Sequence, residues 1–219
     1  MSRRLVEVTP DLLLRAYRIG MFPMADARTS TKLYWLDPEQ RGHLPLDAFH
    51  LPRRLLRTVV SGPYTVTVDH DFPAVIAACA EPAPGRESTW INLTIERLFT
   101  ELHTLGYGHS VETRLDGVLV GGLYGVAVGG VFFGESMFSR ARDASKVALV
   151  HLVARLRMGG FRLLDTQWTT PHLAQFGAVE VPRLDYKIMI EAAVEQQAIF
   201  TADPDPALLA AEFTRMAKG

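Results

Sequence analysis

The sequence predicts an α/β (α+β) fold, with a mostly antiparallel mixed sheet as its main domain and a small α/β lobe before it. Three observations predict this. Residues 109–115 alternate as a strand, and Asp116-Gly117 is a strong two-residue hairpin turn. The glycine-rich run 118–127 turns at Val128-Gly129-Gly130 and returns through 131–140, which completes a meander of three antiparallel strands. A helical stretch from Asp143 to about Met158 then separates the meander from a short apolar strand, 161–167.

The chain opens with Thr9-Pro10-Asp11, a capping residue followed by a proline suited to the first helical position. Leu12, Leu13 and Tyr17 are spaced for one helix face, and Gly20 can end the helix. Met21-Phe22-Pro23-Met24 leads into a polar loop. Residues 33–36 read as a short strand, 41–46 as extended, and Pro52 starts a helix carrying Arg53, Arg54 and Arg57. Residues 1–62 are therefore expected to form the small lobe.

The main domain, 63–219, begins with the alternating strand Tyr64-Thr65-Val66-Thr67-Val68. Asp71 caps a helix to about Ala80, and 81–89 is a loop by composition. Asn92 caps a second helix with apolar residues at 95, 98, 99, 102 and 105, ended by Gly106. Past the meander, Gly159-Gly160 stops the long helix. Thr170-Pro171 starts a short helix, Pro182 precedes one over 183–197, and Asp203-Pro204-Asp205-Pro206 begins a terminal helix. No internal repeat is visible.

Composition is ordinary for a globular protein: of 219 residues, 48% are hydrophobic and 21% charged. No apolar run approaches the roughly 20 residues of a membrane helix. The N-terminus carries Arg3 and Arg4 without a long apolar stretch, so a secretory signal is not expected. A lone cysteine, Cys79, fits a reducing compartment, and the expected location is cytoplasmic. With a net charge of −1, any nucleic-acid contact must come from a local patch. The seven histidines show no metal-ligand spacing, and no Gly-x-Ser-x-Gly elbow marks a serine hydrolase.

The order β-α-α-β-β-β-α-β-α is that of an N-acetyltransferase-like domain. It is a fold-level analogy that leaves function open. Gly134-Glu135-Ser136-Met137-Phe138-Ser139-Arg140, Ala144-Ser145-Lys146 and Leu164-Asp165-Thr166-Gln167 carry something more specific. With Thr89-Trp90-Ile91, Gly121-Gly122-Leu123-Tyr124-Gly125-Val126, His172-Leu173, Phe176-Gly177-Ala178 and Ile19-Gly20-Met21-Phe22-Pro23, they resemble the leucyl/phenylalanyl-tRNA–protein transferases, in order and over nearly the whole chain. The resemblance implies transfer of Leu or Phe from aminoacyl-tRNA to proteins beginning with Arg or Lys, and the weak discrimination of an apolar pocket adds Met as a poorer donor. It also implies a role in N-end-rule degradation, with no cofactor. The alternative is a coenzyme A-dependent N-acetyltransferase. Such an enzyme usually carries glycines before the central helix, where N–H groups meet the pyrophosphate. Here 139–146 has none and offers Arg140, Arg142 and Lys146, which suit a phosphate backbone.

Asp165 and Gln167 are two apart on a predicted strand, so both are expected on one face. By spacing alone they read more readily as strand-end residues in solvent; the resemblance reverses this and makes them the catalytic pair, with Asp165 orienting Gln167. Glu135 interrupts an apolar strand and needs a partner, either Arg140 or, by resemblance, the cationic acceptor. The resemblance places Trp90 on the terminal adenine of the tRNA. Met24 stands where the family often has a second tryptophan, with Tyr34 or Trp35 as other sources of a ring. It makes Leu123, Met137, Leu149 and Leu152 the amino-acid pocket, although such residues also read as plain core. Leu164 is left out, because it faces away from Asp165 on an ideal strand. Arg53, Arg54, Arg57, Arg155, Arg157 and Arg162 join Arg140, Arg142 and Lys146 as candidates to grip the tRNA, about half of them as bystanders.

Overall fold

The structure is a computed structural model that describes residues 8–83 and 87–218. The N-terminal reading of residues 1–7 and the middle of the expected loop, 84–86, lie outside the described residues.

Helix α1 (Pro10–Arg18) and the two-stranded ribbon β1 (Phe22–Met24) with β2 (Tyr34–Leu36) come first. Then follow β3 (Gln40–Leu44), α2 (Arg53–Ser61), β4 (Tyr64–Val68), α3 (Phe72–Ala80) and α4 (Leu93–Thr104). The meander is β5 (Gly108–Leu115), β6 (Val118–Val128) and β7 (Val131–Ser139). After it come α5 (Ala144–Met158), β8 (Leu163–Gln167), α6 (Pro171–Ala174), β9 (Val179–Pro182), α7 (Arg183–Val194) and α8 (Pro206–Met216).

Local chemistry explains where the elements start. Thr9, Asp71, Asn92 and Thr170 each accept a hydrogen bond from a backbone N–H three residues on, as expected of capping residues. Each such cap stabilises its helix by about 1 kcal/mol. Asp116 and Gly117 both take positive φ, 51° and 79°, the pair a twisted two-residue hairpin needs.

Seven strands form one sheet in the order β4-β5-β6-β7-β8-β3-β9, antiparallel except for β7 beside β8. The sheet is the expected mixed, mostly antiparallel type. The segment expected as a separate lobe, 1–62, supplies β3 to it, between β8 and β9. Residues 21–24, expected as a lead-in to a loop, contain β1, and β9 occupies four residues that carried no strand signal.

Side chains on the two faces of the sheet feed two cores. One holds Tyr17, Phe72, Phe99, Tyr124, Phe133 and Ile190 under α1, α3, α4 and α7. The other holds Leu55, Leu123, Phe132, Leu149, Leu152 and Phe213 under α2, α5 and α8. The neighbours Leu123 and Tyr124, like Phe132 and Phe133, go to opposite cores, as strand alternation requires.

One interruption positions the site. Pairing of β7 with β8 runs from Val131↔Leu163 to Phe133↔Asp165 and stops, while β7 continues to Ser139. At the same level the register of β6 and β7 shifts. Gly125 faces Gly134 and Tyr124 faces Ser136, so Glu135 is an extra residue, a bulge that turns the strand. Strands β7 and β8 thus separate.

Candidate active site

The split between β7 and β8 holds a cavity of about 550 Å³. Leu123, Met137, Leu149, Leu152 and Leu164 give it an apolar wall, and Trp90, Met24, Phe22 and Trp168 border it elsewhere. Glu135 and Gln167 are its acidic and amide groups. The structure therefore brings together Trp90, the four expected pocket residues, Glu135 and Gln167. Asp165 does not reach the cavity surface.

Asp165 lies behind it, with 0% of its surface exposed. A buried carboxylate needs charge and donors around it, and Asp165 has both. Arg41, 1% exposed, donates from Nε to Oδ1 at 3.0 Å and from Nη2 to Oδ2 at 2.6 Å. The hydroxyl of Tyr186 donates to Oδ2 at 2.5 Å. The guanidinium is held in turn by the Gly20 carbonyl, 3.0 Å from Nη1, and lies over the rings of Phe22 and Tyr186. Burial lowers the Arg41 pKa, but the charge and hydrogen bonds of Asp165, with the smaller effects of Tyr186 and Glu135, together outweigh it and leave the group above its usual range. Burial, reinforced by the same charge, pushes the Tyr186 hydroxyl well up.

The remaining bond to Asp165 shapes the neighbouring backbone. Gln167 N donates to Asp165 Oδ1 at 2.8 Å. Trp168 N donates to Thr166 O at 2.6 Å, which closes a γ-turn with Gln167 at its centre and φ at +58°. A non-glycine residue in this region is strained and must be held there. Gly42 makes room for the turn, because a Cβ on it would lie 2.5 Å from the carbonyl carbon of Trp168. The expectation that Asp165 and Gln167 share one strand face is corrected by this turn. Asp165 meets Gln167 through the main chain, while the Gln167 side-chain amide makes no hydrogen bond among the described residues. Leu164 and Asp165 do face opposite ways, but Leu164 is the one that borders the cavity.

Glu135 is the contrasting acid. Tyr17 donates its hydroxyl to Oε1 at 2.6 Å, and no cation lies within salt-bridge distance among the described residues. Burial raises its pKa to about 8, with the Tyr17 hydrogen bond opposing and the Asp165 charge adding. Arg140, the alternative partner, pairs with Glu81 at 2.6 Å. Tyr124 also borders the cavity, and its buried hydroxyl has no hydrogen-bond partner among the described residues.

The cations divide. Arg54, Arg142 and Lys146 surround Asp143 at the start of α5, three cations to one carboxylate. Arg53 and Arg57 are exposed on α2. Arg155 bonds the Ala202 carbonyl, and Arg157 bonds Glu212 and the Leu46 carbonyl, so both fasten α5 to its surroundings. Among the described residues no cluster of three or more His, Cys, Asp or Glu could hold a metal ion, and no helix is long and apolar enough to cross a membrane.

Arg41, Tyr17 and Tyr186 carried no sequence signal as site residues. They meet Asp165 and Glu135 only because β3, α1 and α7 fold against β8 and β7.

An apolar cavity between separated strands, with an acid and an amide on its wall, suits an enzyme that takes an apolar group. Comparison with known proteins narrows the class. The family model described as leucyl/phenylalanyl-tRNA protein transferase matches residues 43–191, and that of its N-terminal domain matches 7–39. A leucyl/phenylalanyl-tRNA–protein transferase of Rhodopseudomonas palustris (strain TIE-1) is 58% identical over 90% of this chain and 88% of its own. The one from Rhodospirillum rubrum is 56% identical over 92% and 95%, and that of Caulobacter vibrioides 60% over 85% and 86%. The chain belongs to the leucyl/phenylalanyl-tRNA protein transferase family. A GCN5-related N-acetyltransferase-like protein from Streptococcus suis aligns over 65% of this chain and 58% of its own, at 13% identity and a TM-score of 0.34.

Proposed function

We propose that this protein transfers Leu or Phe, and Met more weakly, from aminoacyl-tRNA to the N-terminal α-amine of proteins beginning with Arg or Lys. The product then carries a bulky N-terminal residue, an N-end-rule degradation signal, and the reaction belongs in the cytoplasm. The observation that carries this reading is the apolar cavity with Glu135 and the Gln167 amide on its wall.

The cavity accepts an aliphatic or aromatic side chain, and Met137 adapts to either. An apolar pocket distinguishes one methylene by only about 1–3 kcal/mol, which suits dual acceptance of Leu and Phe. Trp90 stacks on the terminal adenine, a contact worth roughly 1–3 kcal/mol. Met24 and Trp168 border the same cavity, whereas Tyr34 and Trp35 do not. Arg140, Arg142 and Lys146 hold the tRNA backbone. The cluster at the start of α5 keeps two positive charges in excess of Asp143.

The donor ester is already activated, so positioning dominates. The acceptor amine attacks the ester carbonyl, the C–O bond to the ribose breaks, and the nitrogen loses a proton as the ribose oxygen gains one. Asp165 has its lone pairs engaged and acts by holding Gln167 in place. The Gln167 amide holds and polarises the amine. Glu135 receives the cationic acceptor residue, whose charge returns the carboxyl to its ionised form. The coenzyme A reading is disfavoured by Asp143, whose carboxylate sits at the α5 N-terminus where a pyrophosphate would lie.

The test is transfer of labelled Leu from charged tRNA to a protein beginning with Arg, beside the same protein beginning with Ala, and beside acetyl-CoA as donor. Leu on the Arg protein alone is expected. Acetyl transfer, or equal labelling of both proteins, would sink the reading.

A further inference from the structure

Every residue from Gly134 to Ser139 borders the cavity, six in succession. Successive side chains of a strand point to opposite faces. A cavity that touches all six is therefore reached through the backbone edge of β7 as well as through side chains. That edge is the one β8 leaves after Phe133↔Asp165, and no other strand pairs with it there among the described residues. Strand β8 continues on the far side of the split, held by β3 as far as Gly42↔Gln167. Between the two runs an empty hydrogen-bonding lane, with the Gln167 turn at its head and Glu135 beside the head.

We infer that the acceptor protein binds as a short β-strand in this lane, parallel to β7, with its first residue at Glu135 and the next two or three along Ser136–Ser139. The inference rests on the reaction proposed above and adds how the acceptor is read. An extended segment continuing the β8 lane has its N-terminus at the Gln167 turn, which delivers the α-amine to the Gln167 amide. Its first side chain, cationic, meets the acid at the bulge. The residues behind it are recognised by main-chain hydrogen bonds, which give affinity without demanding particular side chains. Acceptors that share only their first residue can then use one site. Three residues span about 10 Å at the strand rise, so only a short free N-terminus is needed.

The experiment uses the full-length protein, Leu-charged tRNA and a set of peptides beginning with Arg, each N-methylated at one of positions two to six. N-methylation deletes one N–H donor. A strand paired on one edge uses alternate donors, so KM is expected to rise about tenfold at alternate positions among the first four. The intervening positions and position six keep the unmethylated value. Loss without alternation, or tolerance at every position, overturns the inference while transfer to the unmethylated peptide preserves the proposed reaction. No transfer to the unmethylated Arg peptide refutes the reaction and the strand lane together.

Discussion

Two carboxylates stand on either side of the strand split and are treated in opposite ways. Asp165, on β8, is sealed from the cavity and receives a guanidinium, a tyrosine hydroxyl and a backbone N–H. Glu135, on β7, borders the cavity with one tyrosine hydroxyl for company. Both are acids in low-dielectric surroundings, yet one meets a cation within the fold and the other meets none among the described residues. The satisfied acid braces the structure, and the under-satisfied one is the acid to which the proposed reaction assigns the acceptor.

The largest way to break this contrast is to remove the brace. Arg41→Met leaves Asp165 buried without its cation, which is expected to destabilise the protein by about 3–5 kcal/mol, read by urea unfolding, with transfer abolished. Next in size is Gly42→Ala. Its Cβ would press on the backbone of Trp168, at an overpacking cost of about 1–3 kcal/mol. Transfer should fall at least tenfold while the protein remains folded by circular dichroism. Unchanged activity would mean that the turn need not be held where it is.

Gln167 separates brace from chemistry. Both Gln167→Gly and Gln167→Ala lose the amide and should lose transfer alike. The glycine variant should be about 1 kcal/mol the more stable, since only glycine takes positive φ without strain. Equal transfer by either variant and wild type would remove the amide from the reaction.

A further test concerns Glu135 and is read across a change of pH. Its folded pKa, about 8, lies above the usual carboxyl value of 4.5. Between the two, the folded protein keeps a proton that the unfolded chain has released. The stability this contributes is fully present below the unfolded value and is lost as pH rises through about 8. Unfolding midpoints of wild type should thus fall relative to those of Glu135→Gln from about pH 5 to about pH 8. Parallel profiles would show that the acid is not shifted.

Much of this was legible in the chain where the cause is local. Thr9, Asp71, Asn92 and Thr170 announce their helices because a capping side chain bonds three residues away. Asp116-Gly117 announces its hairpin. Leu123, Met137, Leu149 and Leu152 were readable as a pocket through resemblance, although periodicity alone made them core. What stayed hidden is non-local. Arg41 lies 124 positions from Asp165, and nothing in 39–44 says that the strand inserts between β8 and β9. The alternation rule also fails at Gln167, because a turn held by a side-chain bond and a distant glycine reverses a direction that spacing alone cannot see.

Arg41 sits in the short gap between the two stretches that match the family, 7–39 and 43–191. Its guanidinium is covered by Phe22 from the first and bonded to Asp165 in the second. The lobe is therefore not an exchangeable module. A graft of a foreign N-terminal segment would have to reproduce a phenylalanine face and the Gly20 carbonyl, or leave the carboxylate behind the cavity with a poorly seated counter-ion. The two parts must be inherited together.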